Sequence, residues 1–490
     1  MQQKVKELTQ RVSVLVVENE ALRAEVEIYR KEAALPNFSK LALGEGRDDR
    51  AIDNVMSIDD KRYDDDEFVR SGDGIFPQTV GLSIQGLHGH SNPLCCALSP
   101  DDAVLATGGA DSFLSLLVWG CIDGDMTAME LVDQRRPQTA QSPWVARMRC
   151  SAPVICTAFA PRLPTKNAFT SGSESPSLVA AGCMDGSVQL LSYYFEKNTG
   201  VASRIIIETA VETVASDHNA VGDGLVKHGK YVKAMAWSSG GSSAAKFPED
   251  TVLFATSSAD GTIHVYKVDY DTPGMDENGD DDTMLAADHV GTQQSHIKVV
   301  LLERLNFKGA VEALCFVNRT LVCYARETPH LACFDTQDDF KLRKINLNVD
   351  NPGGVCFDEH VSFAVMDIQV RRSEKSGKDY LLLATDKSRN IVMDFESGKQ
   401  VRNLYGHSNE DFSQPKVGFS QNCQYVLGNT QENGSLCVWD ISSEKIVHRI
   451  GNEQNAEAHS SPIRDIYSSP SSNTLVTVSF DKKCNIWFAS

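Results

Sequence analysis

No run of eighteen apolar residues occurs in the 490-residue chain, short of the roughly 20 that a membrane-spanning helix needs. No Cys-x-x-Cys pair occurs among its 13 cysteines, so the commonest spacing of a structural zinc site or a dithiol centre is missing. The cysteine count is odd, and Cys95, Cys96, Cys156, Cys315, Cys323, Cys437 and Cys484 lie in apolar, strand-like runs. Thiols so placed serve as small hydrophobes in a reducing compartment, not as a disulfide framework. Basic residues are scarce: 47 Lys and Arg face 66 Asp and Glu, for a net charge of −19. That balance argues against nucleic-acid binding, which calls for a basic face. Neither a P-loop nor a dinucleotide glycine fingerprint is present, and no cofactor is expected. The first residues are amphipathic, unlike a secretory signal, so cytoplasmic or nuclear placement is expected.

What is present starts with ordinary globular material, 41% apolar and 8% aromatic. The negative charge is concentrated. Residues 45–73 hold eleven acids against five bases, and residues 269–282 hold seven acids and no base. These stretches contribute −6 and −7, leaving −6 of the −19 for everything else. Both are poor in periodic apolar residues and read as solvated loops, with docking of a basic partner as the sharper alternative.

Residues 1–34 carry a heptad pattern. Val5, Val12, Asn19 and Val26 occupy one seam position, and Leu8, Leu15, Leu22 and Tyr29 the other. β-Branched residues at a and Leu at d favour a two-stranded parallel coil, and a single Asn at a fixes its register. Glu18 can reach Arg23 of a partner helix, and Glu25 can reach Arg30. The pattern predicts a homodimeric coiled coil; a lone amphipathic helix packed on its own domain is the alternative. Pro36 ends the helix, and residues 35–78 follow as an acidic flexible linker.

From residue 79 onward the chain is a series of short strand-like segments with internal repeats. The last repeat is the most regular: His459, an apolar strand, Ser469-Pro470, a second strand with Thr477, then Asp481 and, six residues on, Trp487. The first repeat shows Gly89-His90, Thr107, Asp111 and Trp119, with an Asp-to-Trp spacing of eight that suggests an insertion. The second has Asp185 with Leu191 in the Trp position, and the third has His228, Thr256, Asp260 and Tyr266. The fourth, over 311–335, lacks both His and turn Asp, and the fifth runs over 363–395. The sixth regains Gly406-His407, Asn433 in the turn and Trp439-Asp440.

This pattern resembles the WD40 family. The resemblance implies an all-β, seven-bladed propeller over residues 79–490, preceded by the α-helical coil. In such a blade, His, Thr, Asp and Trp form a buried polar relay. The last repeat holds one strand fewer than a four-stranded blade, and Val80–Ile84 is the expected supplier, closing the ring. About 410 residues give roughly 59 per blade against 40–45 for the usual repeat, and the surplus falls in loops.

Catalytic chemistry has weak support. His459, Thr477 and Asp481 offer the residue types of a triad, as do His90, Thr107 and Asp111. A nucleophile has no reason to recur at blade spacing, so the structural role is preferred and no enzyme is expected. Asp269, Asp271, Gly274 and Asp280 faintly echo a calcium loop, but Pro273 stands at a ligand position. Arg371-Arg372 resembles the paired arginines of phosphoinositide-binding propellers without their flanking Phe and Gly. Trp439-Asp440 lacks the Arg two residues on that cullin-4 substrate receptors often show. The expected function is a scaffold that dimerises through its coil and binds proteins or peptides on the propeller, with no membrane insertion. Alternatives are a G-protein-β-like subunit whose helix pairs with a small partner, and an adaptor in ubiquitin ligation or autophagy.

Overall fold

Apolar residues spaced by two, bounded by Ser-Pro and Asp-Gly turns, form short antiparallel strands. In the computed structural model the described residues are 68, 72–119, 145–161, 177–196, 204–211, 213–214, 225–238, 251–271, 296–348, 362–409, 413–431, 434–451 and 458–489. The coil seam from Val5 to Tyr29 lies outside them, as does Asn433.

Among the described residues, seven four-stranded antiparallel sheets are present. Blade one comprises β2 (Pro93–Leu98), β3 (Val104–Gly109), β4 (Phe113–Val118) and β5 (Val145–Arg149). Blade two comprises β6 (Val154–Phe159), β7 (Ser177–Cys183), β8 (Val188–Glu196) and β9 (Arg204–Val211). A two-stranded parallel ladder, β10 (Thr213–Val214) with β11 (Leu225–Val226), precedes blade three. Blade three comprises β12 (Val232–Trp237), β13 (Val252–Ser258), β14 (Thr262–Asp271) and β15 (His296–Asn306). Blade four comprises β16 (Val311–Val317), β17 (Thr320–Ala325), β18 (His330–Asp335) and β19 (Lys341–Asn346). Blade five comprises β20 (Val365–Arg372), β21 (Asp379–Thr385), β22 (Asn390–Asp394) and β23 (Gln400–Leu404). Blade six comprises β24 (Val417–Phe419), β25 (Tyr425–Asn429), β26 (Leu436–Asp440) and β27 (Lys445–Ile450).

Blade seven takes β28 (Ile463–Ser468), β29 (Thr474–Ser479) and β30 (Lys483–Ala489) from one end of the chain and β1 (Pro77–Gln85) from the other. Val80 lies opposite Trp487, Leu82 opposite Ile486 and Ile84 opposite Cys484. The ring is therefore latched by backbone hydrogen bonds between strands drawn from opposite ends of the sequence, and β1 covers the edge that β30 would otherwise expose.

A blade alone cannot bury both faces, so the apolar core is distributed. The described residues form seven buried clusters, one at each interface between neighbouring blades. The second strand of each blade is buried almost throughout, as in β3, β13 and β25. The fourth strands lie outermost, and β19 and β27 expose most of their charged residues.

The end of the expected linker is packed, not flexible. Phe68 and Phe76 are buried, with the Phe68 ring 5.1 Å from Tyr380 and the Phe76 ring 4.9 Å from Tyr425. The Gly72 N–H donates to Asp440 (3.2 Å) and the Gly74 N–H to the Tyr425 hydroxyl (2.6 Å). Two aromatic anchors in an acidic run outweigh its charge, because their apolar area is removed from water while the carboxylates stay outside.

Candidate functional site

Loops from the second to the third strand, and from the fourth strand to the next blade, emerge on one face, called the top here. At the top of blade seven, Asp481 and Thr477 flank the buried His459. His459 Nδ1 lies 3.0 Å from Asp481 Oδ2, its Nε2 lies 2.8 Å from Thr477 Oγ1, and Trp487 Nε1 donates to that oxygen at 2.8 Å. Asp481 can only accept, so Nδ1 carries the proton, Nε2 accepts from the Thr hydroxyl, and the hydroxyl oxygen accepts from Trp487. The chain of bonds has one direction, and His459 and Thr477 are fully buried. No substrate could reach this Thr, which answers the triad reading for this repeat.

In blade one the relay histidine is His88, a correction to His90. His88 Nε2 lies 3.0 Å from Thr107 Oγ1 and its Nδ1 2.9 Å from Asp111 Oδ1, whereas His90 is exposed. The sharp turn over residues 86–91, with Gly89 at φ 59°, carries His90 outward. Trp119 is a second correction. Leu105 pairs with Leu117 as Leu475 pairs with Trp487, so Leu117 holds the Trp position at the usual spacing of six, without an insertion. Trp119 lies past the end of the strand, with its buried Nε1 unpartnered among the described residues. The signal that finds Leu117 is the distance from Asp111, not the search for an indole.

Blade three inserts one hydroxyl. His228 Nε2 meets Thr256 at 2.8 Å, but its Nδ1 meets Thr262 Oγ1 at 2.8 Å, and Thr262 donates to Asp260 at 2.6 Å. The His264 ring stacks on His228 with centroids 4.0 Å apart. Burial lowers both pKa values, to about 3 for His228 and about 4 for His264, so both rings are neutral near pH 7. Blade six has no such relay among its described residues. His407 has both ring nitrogens buried and unpartnered, and Trp439 Nε1 donates to the Tyr405 carbonyl (2.7 Å). Burial holds His407 at about 4.

The innermost strands β20, β24 and β28 meet in a charge network on the channel side. Lys416, just before β24, lies 3.5 Å from Asp367 and 3.7 Å from Asp465. Burial opposes its charge, yet the two carboxylates raise its pKa above the ordinary lysine value. Asp367 also accepts from the Val417 N–H (3.3 Å) and Asp465 from the Cys96 N–H (3.0 Å). Each aspartate thus stitches its blade to the next. Across the ring Lys233 pairs with Glu312 at 2.6 Å, and Arg326 with the same carboxylate.

Around that mouth the top face shows aromatic and apolar side chains: Met184 (57% exposed), Tyr231 (38%), Tyr405 (55%) and Phe480 (43%). Three of them sit beside cations. Lys233 lies 5.1 Å from the Tyr231 ring centre, Arg389 5.9 Å from that of Tyr405, and Arg464 5.9 Å from that of Phe480. Arg389 is held by Gln400 and Asn403, neutral amides, at 2.6–2.9 Å. The top face thus sets exposed apolar rings beside cationic groups.

The opposite face has a concavity of about 870 Å³ between blades four and five, lined by Lys341, Arg343, Arg372 and Lys378 among others. Its cations are already engaged: Lys341 with Asp338, Arg372 with Asp379, Lys378 with Asp394, and Arg343 with the Phe395 and Glu396 carbonyls. The Arg371-Arg372 pair is split, because Arg371 turns inward to the Ser469 carbonyl at 3.2 Å. Asp269 lies on β14 and pairs with Lys267 at 2.8 Å; Gly274 and Asp280 of the calcium-like run are outside the described residues.

Comparison with protein-family models matches three stretches, residues 81–116, 223–267 and 452–487, to the WD domain, G-beta repeat. They fall in blades one, three and seven, the three in which a His–Thr–Asp arrangement is geometrically present. A search of curated proteins finds no match. The chain carries WD40 repeats and forms a seven-bladed propeller, the kind of ring that typically serves as a protein-interaction scaffold.

Proposed function

We propose that the chain is a non-enzymatic adaptor of the cytoplasm or nucleus, dimerised through residues 1–34 and receiving partner segments on the top face. The observation that carries this reading is the top face itself: Met184, Tyr231, Tyr405 and Phe480 are half of the eight exposed large hydrophobics among the described residues. A rigid ring holds them at the cost of exposed apolar area, which a bound peptide would cover. The heptad seam with Asn19 supports self-association.

Dimerisation then adds avidity, since a second peptide on the same partner binds as an intramolecular step. Sedimentation of the full chain and of residues 35–490 tests the first half. A dimer is expected for the former and a monomer for the latter at micromolar concentration; a monomer in both, or a coil that captures a different small chain, removes the homodimer. Peptide-array binding by a Tyr231→Ala, Phe480→Ala variant tests the second half, with loss expected relative to wild type and to Leu342→Ala on the other face.

A further inference from the structure

Between blades six and seven, at the top, lies a niche of about 130 Å³. At roughly 30 Å³ per liquid water it has the room of about four waters, enough for a short polar side chain. Its walls come from the entry to β24, the end of β25, the start of β28 and the turn after β29. Asn429 in one wall is satisfied: its side chain donates to the Gln414 and Ile463 carbonyls at 3.0 and 2.9 Å and accepts from the Lys416 N–H at 2.7 Å. Three other lining groups are not. Asn409 Nδ2 and Ser413 Oγ are buried without a hydrogen-bond partner among the described residues, and Ser413 is only 6% exposed. The Arg464 guanidinium has no acceptor among the described residues; what it touches is the Phe480 ring.

A buried donor left unpaired is costly, and two of them beside a guanidinium with no acceptor call for one. An apolar group would leave all three unpaired, and a cation would meet a guanidinium. The groove between blades four and five gives the contrast, for its arginines and lysines are already paired. The charge count sets the kind of anion. Arg464 carries the one charge among the side chains that line the niche. A monoanion balances Arg464, and a phosphate dianion would leave one negative charge in excess.

We propose that this niche seats the carboxylate of an Asp or Glu side chain in a bound peptide, accepted by Arg464, Asn409 and Ser413, while Phe480 covers an apolar neighbour in the same peptide. The assignment rests on the adaptor reading above and names the chemistry of one of its contacts. The forked guanidinium is the part a lysine cannot reproduce.

The test uses the full-length chain on arrays of random dodecapeptides whose central residue is fixed as Glu, Gln or phosphoserine. The Glu set is expected to outbind the Gln set by about ten-fold, as a charge-assisted bond predicts. That ratio should fall to parity in Arg464→Gln and stay intermediate in Arg464→Lys. Since Arg464 makes no hydrogen bond among the described residues, both variants should melt like wild type; Ser413→Ala is the second variant, lowering the ratio without touching the charge. Equal binding of Glu and Gln sets, or a ratio indifferent to Arg464, overturns the niche while top-face binding lost in the Tyr231→Ala, Phe480→Ala variant keeps the adaptor. A phosphoserine set that outbinds Glu through Arg464 overturns the carboxylate. Absence of any top-face-dependent binding removes the adaptor reading and the niche with it.

Discussion

Replacing Thr477 by Val keeps the shape of the side chain and removes one oxygen. That oxygen accepts from Trp487 Nε1 at 2.8 Å and its proton is donated to His459 Nε2 at 2.8 Å. Both partners sit in a fully packed interior where water cannot replace it. Two buried groups are left unsatisfied, each costing about 1–3 kcal/mol, so the expected loss is about 3 kcal/mol. Thr107→Val in blade one orphans one group fewer, because His88 Nε2 bonds Thr107 at 3.0 Å but no indole does. Its cost should be about half as large. Thr477→Ser retains the relay and loses a methyl group, about 1 kcal/mol. Equilibrium urea unfolding followed by tryptophan fluorescence and far-UV circular dichroism ranks the three. If Thr477→Val proves no worse than Thr107→Val, or matches Thr477→Ser, the directional relay is wrong.

Acid should weaken the ring through its buried histidines. His228, His264 and His407 titrate near 3, 4 and 4 in the folded chain because of burial, against about 6.5 unfolded. Their contribution is complete above pH 6.5 and is lost as pH falls toward about 4, since only the unfolded chain binds those protons there. His407→Phe, which removes two unpartnered nitrogens, should flatten that slope and raise the melting temperature at pH 7; a steeper slope would refute the assignment. Lys416→Met strands Asp367 and Asp465 and should cost about 2–4 kcal/mol, partly restored by Asp465→Asn in the same chain, as a double-mutant cycle would show. Gly186 has φ 86°, and a Cβ at this position would collide with the His228 and Lys230 carbonyl oxygens, so Gly186→Ala should lower the melting temperature sharply. Lys482 holds the same left-handed turn position at φ 69°, and Lys482→Gly should gain up to about 1 kcal/mol in the same denaturation assay.

Period-two apolar runs and Asp-Gly turns are local signals, so the repeat count, the order of strands and Val80–Ile84 beside Trp487 could all be read along the chain. The third repeat's His228, Thr256 and Asp260 were legible for the same reason. His88 was not, because a small difference in a turn decides which of two nearby histidines faces inward, and turn geometry depends on what packs beneath it. The docked Phe68 and Phe76 were hidden by the acidity of their neighbours, although two aromatics suffice to hold an otherwise solvated segment.

Contacts between blades are a different matter. Lys416 meets Asp367 and Asp465 from either side, and Asp465 reaches the Cys96 N–H across 369 positions. Periodicity says that such residues lie on innermost strands; it does not say which side chains meet, since that follows from how seven twisted sheets stack about a shared axis. The unpaired Arg464 belongs to the same class. Its sequence neighbours include a carboxylate, Asp465, that looks like its partner, and packing turns that carboxylate toward Lys416 instead. Alternation along each strand therefore specified the blades of this protein, while the stacking of blades assigned partners to its charges and left one cation facing the niche.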